Sequence, residues 1–318
     1  MAPGRGELEP LVASDSNGIS EQPFDDIVYC VWDLRGERKW YGVCLVMVIA
    51  ALGVNYGFFF SRANSTVELV VFHVLYALIV SSWIQTIITH PGVVPPSWSD
   101  RIQRLSEIHE TQIKELFDFN AFHKMWKPPR SHNDRVTQRL VLNMDHFCPW
   151  VMNTVGFYNR KFFILFLMYT WMALVLFLEG RYESFNHARD LNFFTAVYIA
   201  DVILCFTLFF FWGHHMWLIL SNSTTVEQQA RFPTVKYDIG YYKNLKQVLG
   251  KNPWFWLLPV WGGGPEGNGI EWPTCSGQVE GRIPALYTST GKNLDNSEVA
   301  EVNATNTTTG GSSNLENV

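Results

Sequence analysis

Three residues that together can activate a thiol lie within four positions of one another: Asp145, His146 and Cys148. Pro149 follows the cysteine and favours an extended backbone at Cys148, and in an extended stretch residues i and i+2 point to the same side. An imidazole beside a thiol generates the thiolate, and a neighbouring carboxylate can hold that imidazole in one tautomer. The spacing therefore predicts a nucleophilic cysteine. A His-x-Cys pair also arises by chance, and a cysteine near a membrane commonly serves as a small apolar residue.

Basic side chains precede this stretch. Lys127 and Arg130 enclose two prolines in the sequence KPPR, which restrict the backbone between them. Two cations held in this way can bind a phosphate through charge-assisted hydrogen bonds. We therefore regard the pair as candidate phosphate ligands.

The composition favours a membrane protein. Hydrophobic residues make up 47% of the 318 residues and aromatic residues 15%, which suggests interfacial aromatic belts and lipid-facing helices. A formal net charge of −5 gives no reason to expect nucleic acid as a partner. The first forty residues contain no apolar run, so we expect no secretory signal peptide. The scattered cysteines form neither a disulfide framework nor a CxxC pair that would suggest zinc; they are Cys30, Cys44, Cys148, Cys205 and Cys275.

Four apolar segments are long enough, at about 1.5 Å per helical residue, to cross a hydrocarbon core of about 30 Å. They are residues 41–60, 69–88, 162–178 and 202–220. A soluble core helix could explain any one of them, but not all four together. The sequence therefore predicts an all-α polytopic membrane protein with four transmembrane helices.

The distribution of basic residues predicts how these helices are oriented. Residues 89–161 contain ten Lys or Arg, whereas the two other short loops contain one and two. By the positive-inside rule, the middle segment and both termini then face the cytosol. In this arrangement the sequon at Asn64 faces the lumen, and those at Asn222, Asn303 and Asn306 do not.

The composition divides the chain into six segments. They are a cytosolic N-terminal tail (1–39), transmembrane helices 1 and 2 (40–88), a cytosolic catalytic domain (89–161), transmembrane helices 3 and 4 (162–220), a cytosolic aromatic segment (221–261) and a disordered tail (262–318). Within the catalytic domain, apolar residues at helical spacing predict a short amphipathic helix over 101–119. The tail is assigned from its richness in Gly, Asn, Thr and Ser.

Four separated motifs occur along the chain. They are KPPRSH, the run MDHFCPWVMNTVGFYN, TTVE directly after the fourth apolar segment, and YDIGYYKNLKQVLGKNPWFWLLP at 237–259. Together with the four-span layout, they resemble the DHHC family of protein S-acyltransferases (palmitoyltransferases). His215 also falls where members often keep a histidine in the fourth span. The resemblance extends from Tyr41 to about Pro259, and the combination of motifs is specific.

The resemblance implies an enzyme that transfers a long-chain acyl group, palmitoyl, from acyl-CoA through an acyl-Cys148 intermediate to cysteines of other proteins. It assigns the role of nucleophile to Cys148, that of base to His146 and that of orienting group to Asp145. Residues near acyl-CoA would be Lys127, Arg130, His132 and Trp150. Residues holding the C-terminal segment against the catalytic loop would be Thr224, Thr225, Glu227 and Asn244.

The implied partners are long-chain acyl-CoA, membrane-associated protein substrates with cytosolic cysteines, and the lipid bilayer. The resemblance favours an endomembrane, Golgi or endoplasmic reticulum, over the plasma membrane. Cys275 either takes an acyl group itself or is an ordinary cysteine of the tail.

In the family, the cysteine-rich domain binds two structural zinc ions through six Cys and two His. The matching positions here are Asn120, His123, Asn133, Asp134, Thr137, Leu140, Phe147 and Thr154. A structural zinc site normally needs four Cys or His ligands, and only His123 could serve well. We therefore expect no zinc and no other cofactor, with Leu140, Phe147 and Val155 forming an apolar core instead. Residual coordination by His123, His132 and Asp134 is the alternative.

Two functions fit these observations. The chain is either an active, zinc-free S-acyltransferase or a catalytically weak relative that acts as a membrane scaffold or adaptor. The retained DHxCPW run favours the enzyme, and the missing zinc ligands favour the scaffold. We favour the enzyme because zinc in this family is structural and remote from the chemistry. A channel or transporter has little support, because few ionisable residues lie within the apolar segments.

Overall fold

The computed structural model describes residues 41–60, 65–179, 193–230 and 234–282. The chain divides into a unit that ends at Glu280 and a second unit from Gly281 onward. All helices and strands of the described residues belong to the first unit. The predictions for the tail 1–39 and for the sequons at Asn64, Asn303 and Asn306 fall outside the described residues.

The described residues are mostly helical. The α-helices are α1 (Tyr41–Phe60), α2 (Thr66–Ile88), α3 (Pro96–Ile108), α4 (Glu110–Leu116), α5 (Arg160–Glu179), α6 (Phe193–Leu220), α7 (Thr225–Gln229) and α8 (Tyr241–Leu249). By length and composition, three segments can cross a membrane: Thr66–Ile88, Arg160–Glu179 and Thr195–Leu220. The apolar run of α1 is shorter and covers Gly42–Gly57. A mostly helical membrane protein is thus confirmed, with three candidate spans.

The long helices present apolar side chains outward. Val46 in α1 is 63% exposed, and Ile203 and Phe210 in α6 are 62% and 69% exposed. Exposed apolar surface of this extent is unusual on a soluble protein and is expected where helices contact lipid. Within the bundle, α2 packs against α5, and α5 packs against α6.

The segment between α2 and α5 departs from the predicted all-α class. After α3 and α4 it forms three two-stranded antiparallel hairpins. Their strands are β1 (Asp118–Asn120), β2 (Met125–Lys127), β3 (His132–Asp134), β4 (Arg139–Val141), β5 (His146–Cys148) and β6 (Asn153–Val155). The amphipathic helix predicted over 101–119 is also wrong in its bounds, because His109 breaks the helix with a backbone φ of −130° and ψ of 50°.

The predicted start of the disordered C-terminal tail, residue 262, lies too far toward the N-terminus. Beyond residue 262 the chain continues into a fourth hairpin, β7 (Trp272–Pro273) with β8 (Val279–Glu280). Trp272 and Ile270 are buried against the catalytic domain. The composition of this segment, rich in glycine and polar residues, did not indicate an ordered hairpin. Two large apolar side chains, Ile270 and Trp272, are enough to anchor it.

The predicted apolar core of Leu140, Phe147 and Val155 does not form as one cluster. Leu140 packs with Leu142, Phe157 and Trp272, whereas Val155 belongs to a different cluster that contains Cys148. Phe147 is half-buried and is not among the buried residues of either cluster. We call the three hairpins, residues 118–155, the hairpin domain. Side chains of the C-terminal segment, Ile270 and Trp272, complete its buried core.

We expect Leu140→Ala to lower the free energy of unfolding by about 2–5 kcal/mol, because it leaves a cavity in a buried apolar cluster. The measurement is denaturant unfolding of the detergent-solubilised protein, followed by tryptophan fluorescence. Ile108→Ala is the matched control, since Ile108 is 70% exposed and should change stability little. Equal effects of both substitutions would contradict this description of the core.

Candidate active site

Cys148 lies at the end of strand β5, opposite Asn153 of strand β6. Its side chain is buried, in a cluster that includes Trp83 of α2 and Phe163 of α5. His146 lies two residues earlier on the same strand, and its interaction with Cys148 is one of the causes that raise the pKa of the imidazole. The extended backbone thus brings imidazole and thiol to one face, at the point where the hairpin domain meets the helices.

Asparagine side chains fix this hairpin to the end of α2. Asn153 Nδ2 lies 3.1 Å from the carbonyl oxygens of Thr86 and Ile87 and 3.0 Å from that of Thr89. Those carbonyls belong to the last turn of the helix, where backbone acceptors have no partner within the helix. One buried amide therefore satisfies the helix end and sets the position of the catalytic strand.

Asn159 also reaches the end of α2, with Nδ2 3.4 Å from the carbonyl oxygens of Thr86 and Thr89, and it braces the hairpin itself. Asn159 Oδ1 accepts a hydrogen bond of 2.8 Å from the backbone of Gly156, and Asn159 Nδ2 donates to the Thr154 carbonyl at 2.9 Å. A Cβ at Gly156 would lie 2.7 Å from the Pro91 carbonyl oxygen. Only glycine therefore allows the backbone to approach this closely.

Asp145 is fully buried, and its carboxylate is the centre of the site. It accepts hydrogen bonds from His146 Nδ1 at 2.7 Å and from the backbone and hydroxyl of Thr225 at 3.0 and 3.1 Å. Arg160 Nη2 lies 3.2 Å from Oδ1, and His215 Nδ1 lies 3.6 Å from Oδ2. Burial alone would raise the pKa of Asp145, but the Arg160 charge and the His146 hydrogen bond outweigh it and hold the pKa well below its usual range.

The environment of His146 favours its protonated form. Burial alone would lower the pKa of His146, but side-chain hydrogen bonds with Asp145 and Cys148 outweigh burial and raise it to about 9. At neutral pH the ring is therefore an imidazolium, a cation that can stabilise a thiolate at Cys148. Because an ordinary histidine has a pKa of about 6.5, the pair stabilises the fold fully below that pH and loses this contribution as pH rises through about 9.

Arg160 and His215 join this site, and sequence reasoning did not include either among the site residues. Arg160 begins α5 and also donates to the Ser223 carbonyl at 2.8 Å. The ring of His215 lies 5.5 Å from that of His146, centroid to centroid. Two features of the sequence could have indicated them: the charged pair Arg160–Lys161 at the start of the apolar helix α5, and His215 near the end of the apolar helix α6.

The residues predicted to give structural support are brought to this site. Thr224 and Glu227 form a reciprocal capping box at the start of α7, which places Thr225 against Asp145. Asn244 of α8 donates 2.7 Å hydrogen bonds to the Leu220 carbonyl and to Asp238. The end of α6, α7 and α8 are therefore joined by side-chain to backbone hydrogen bonds.

The residues predicted to bind acyl-CoA are not brought together in the expected way. Arg130 is buried and pairs with both carboxylate oxygens of Glu227, at 2.6 and 2.9 Å, so we correct its assignment from phosphate ligand to structural residue. Burial and the charge of Lys127 lower the pKa of His132 to about 4, which leaves that ring neutral. Lys127 lies 3.0 Å from Asp118, and Trp150 is 47% exposed. These last two stay candidates for contact with acyl-CoA.

Asn120, His123 and Asn133 occupy positions where the family binds zinc, and their amide and imidazole groups form hydrogen bonds with one another. His123 Nε2 lies 2.8 Å from Asn133 Oδ1, and the backbone of His123 donates to Asn120 Oδ1 at 2.9 Å. An imidazole whose Nε2 bonds to an amide oxygen does not also offer that nitrogen to a metal. These residues do not fit a tetrahedral zinc site.

Asp134, Thr137 and Thr154 also occupy positions where the family binds zinc, and the buried carboxylate of Asp134 joins them through hydrogen bonds. It accepts hydrogen bonds from the hydroxyls of Thr137 and Thr154, the former at 2.6 Å, and from the backbone of Val136 at 2.9 Å. Two hydroxyls and one carboxylate are not a structural zinc set. Leu140 and Phe147, which fall one in each of the two family zinc sites, offer no ligand atom. Neither family zinc site fits the residues of this chain.

Within the part of the chain that the structure describes, one other group brings potential metal ligands together. Asp145, His146 and His215 each place an atom within 4.8 Å of the others. The guanidinium of Arg160 already contacts this carboxylate, and a second cation there would be repelled. We therefore interpret the group as part of the thiol site and not as a metal centre.

Comparisons with known proteins agree with this geometry. The family model of DHHC palmitoyltransferase matches residues 114–231. "Probable protein S-acyltransferase 12" of Arabidopsis thaliana is 34% identical over 237 residues, which cover 65% of this chain and 79% of the relative. "Probable protein S-acyltransferase 14" of the same plant is 31% identical, covering 73% of this chain and 88% of the relative. "Palmitoyltransferase ZDHHC2" of Homo sapiens is 28% identical, covering 82% and 84%. The chain belongs to the DHHC palmitoyltransferase family, whose members are protein S-acyltransferases.

Proposed function

We propose that this protein S-acyltransferase takes a long-chain acyl group from acyl-CoA onto Cys148 and passes it to cysteines of membrane-associated proteins. The observation that carries the proposal is the Asp145–His146–Cys148 arrangement at the junction of hairpin domain and apolar helices. A thiol with an oriented imidazole is a nucleophile for thioesters. The apolar residues around Cys148 suit a substrate whose reacting carbonyl carries a hydrocarbon tail.

The first step forms the acyl-enzyme. The Cys148 thiolate, formed by transfer of the thiol proton to His146, attacks the carbonyl carbon of the acyl-CoA thioester, and the bond from that carbon to the CoA sulfur breaks. The leaving CoA thiolate takes a proton from the imidazolium of His146, which acts as a general acid. Asp145 keeps the ring oriented throughout, because its carboxylate is held by Thr225 as well as by the ring.

The second step reverses these roles. The now neutral His146 accepts the proton of the substrate cysteine, whose sulfur attacks the acyl-Cys148 carbonyl. The bond to Cys148 breaks, and the Cys148 thiolate is restored beside an imidazolium. Since one thioester replaces another, positioning of the reactants supplies most of the rate enhancement.

We further propose that α1 also spans the membrane, which brings the number of spans to four, with residues 89–161 and both termini in the cytosol. The support is the apolar character of α1 and the concentration of basic residues in the hairpin domain. This arrangement presents Cys148 to acyl-CoA from the cytosol while the acyl tail lies among the helices. Lys127 and Trp150 are the residues of the predicted set that we retain for contact with acyl-CoA, and we retain an endomembrane as the compartment.

We also propose that the enzyme works without zinc or another cofactor. The hydrogen-bonded groups around His123 and Asp134 support this, because they occupy the positions where the family binds metal. A structural zinc contributes about 10–16 kcal/mol in isolated peptide modules. Here the two flanking helices tether the domain, so less stabilisation is required.

Incubation with a clickable palmitoyl-CoA analogue should label the wild-type protein through a hydroxylamine-sensitive bond. Cys148→Ala should remove the label, because the nucleophilic sulfur is gone. Cys275→Ala is the control, since that thiol is exposed and should leave the label intact. A folded wild-type preparation without Cys148-dependent label would instead favour a scaffold function.

We expect His146→Ala to abolish autoacylation at pH 7 and higher pH to restore it in part. Without the imidazole, no neighbouring group takes up the proton of the Cys148 thiol or stabilises its thiolate, so less nucleophile forms at neutral pH and more forms as the pH rises. The rate of labelling between pH 6 and 9.5 measures this, with His109→Ala as the control. Full activity of His146→Ala at pH 7 would remove His146 from the mechanism.

Elemental analysis of the purified protein should find less than stoichiometric zinc, and a chelator should leave autoacylation unchanged. The reason is that neither set of family positions offers four zinc ligands. The same preparation dialysed against zinc serves as the control for adventitious metal. One or two tightly held zinc ions per chain, or loss of activity on chelation, would falsify the metal-free proposal.

A further inference from the structure

The hairpin of β7 and β8 reaches a buried arginine of the catalytic domain. The guanidinium carbon of Arg130 lies 4.3 Å from the centroid of the Trp272 ring and 4.5 Å from that of Tyr237. The two rings are inclined by 68° with centroids 6.5 Å apart, so they form a corner that holds the guanidinium. Cations are attracted to the faces of aromatic rings, most strongly to tryptophan and where water is excluded.

Polar contacts hold the hairpin in this place. Tyr237 donates a 2.7 Å hydrogen bond to Glu280, and Lys236 pairs with the same carboxylate at 2.7 Å. The backbone of Cys275 donates to the Lys236 carbonyl at 2.9 Å. The hairpin is thus bound at its turn and at its last strand to the segment that carries Tyr237.

Arg130 in turn fixes the segment that contacts the catalytic carboxylate. Its guanidinium bonds to both oxygens of Glu227 and to the side chain and carbonyl of Asn222, at 2.8 and 2.9 Å. The backbone of Arg130 has a φ of 61°, a left-handed conformation that residues other than glycine seldom adopt. Such a conformation persists where surrounding contacts over-determine it.

Glu227 completes the connection to the reacting groups. It caps the start of α7 together with Thr224, and this places the backbone and hydroxyl of Thr225 on Asp145. A continuous series of contacts therefore runs from Trp272 through Arg130 and Glu227 to Asp145, which orients His146.

We propose that Trp272 is a positioning residue for acyl transfer: by holding Arg130 it fixes α7 and, through Thr225, the carboxylate that orients the catalytic histidine. The proposal rests on the proposed acyl transfer through Cys148. On this proposal, the hairpin of β7 and β8 stabilises the catalytic domain in a chain that lacks the family's zinc ligands.

The test compares four variants in full-length protein. Trp272→Leu retains apolar bulk but removes the ring face, and Trp272→Phe retains a ring face. Ile270→Ala disturbs the same buried cluster and involves none of the aromatic contacts to Arg130. Gln278→Ala changes an exposed position of the same hairpin. Each variant is measured for melting temperature, for autoacylation rate and for the pH dependence of Cys148 alkylation by iodoacetamide, read at that residue by mass spectrometry.

We expect Trp272→Leu to slow autoacylation about tenfold, the effect of about 1.4 kcal/mol on a barrier. Its alkylation profile should move to higher pH, because Asp145 no longer holds His146 in place beside the thiol. Trp272→Phe should restore most of both values, and Gln278→Ala should match wild type. Ile270→Ala should lower the melting temperature and leave the alkylation midpoint in place.

Two results would overturn the proposal. One is a wild-type alkylation midpoint and rate in Trp272→Leu. The other is a shift in Ile270→Ala as large as that in Trp272→Leu, since general loosening of the core would then be the cause. The alkylation profile does not involve acyl-CoA, so a failure of the wild type to autoacylate is a separate result that bears on the proposed function alone.

Discussion

The buried negative charge of Asp145 is the constraint on which the site depends. A carboxylate removed from water is stable only where cations and hydrogen-bond donors surround it. Its donors here are His146 from β5, Arg160 from α5 and Thr225 from α7, and the ring of His215 from α6 packs beside it with Nδ1 3.6 Å from the carboxylate. Assembly of the catalytic pair is therefore coupled to the packing of two long helices and the segment that follows them.

On the proposal that the hairpin domain holds no metal, the same reasoning accounts for its organisation. A zinc ion concentrates stabilisation at one point, whereas hydrogen bonds contribute about 0.5–1.5 kcal/mol each and must be numerous. Asp134 gathers three donors, and Leu140 joins an apolar cluster closed by Trp272. The stabilisation is spread over several hairpins and depends on a segment distant in sequence.

The long helices and the shared face of His146 and Cys148 could be predicted from the sequence, because hydropathy and strand periodicity are local properties. The role of Arg130 could not. Its partner Glu227 is 97 positions away, and only the folded chain shows that the guanidinium is buried. Arg160 was missed for the same reason, since a basic residue at the start of an apolar helix is ordinarily read as an interfacial anchor. The tail composition likewise gave no sign that Trp272 would be covered.

In the proposed acyl transfer, the fixed charge of Asp145 also determines where the proton goes in each of the two steps. In the proposed ion pair, the imidazolium of His146 lies between two negative groups, Asp145 and the Cys148 sulfur, and its side-chain hydrogen bonds with both residues help to raise its pKa to about 9. Acylation of Cys148 neutralises its sulfur, so the His146 ring then has only one negative neighbour, Asp145. The ring therefore gives up its proton to the departing CoA thiolate more readily. Asp145 keeps its charge through both steps, which prepares the neutral ring to accept the proton of the next thiol. A carboxylate free to rotate or to become protonated would not provide this alternation, which is the physical reason for holding it with so many donors.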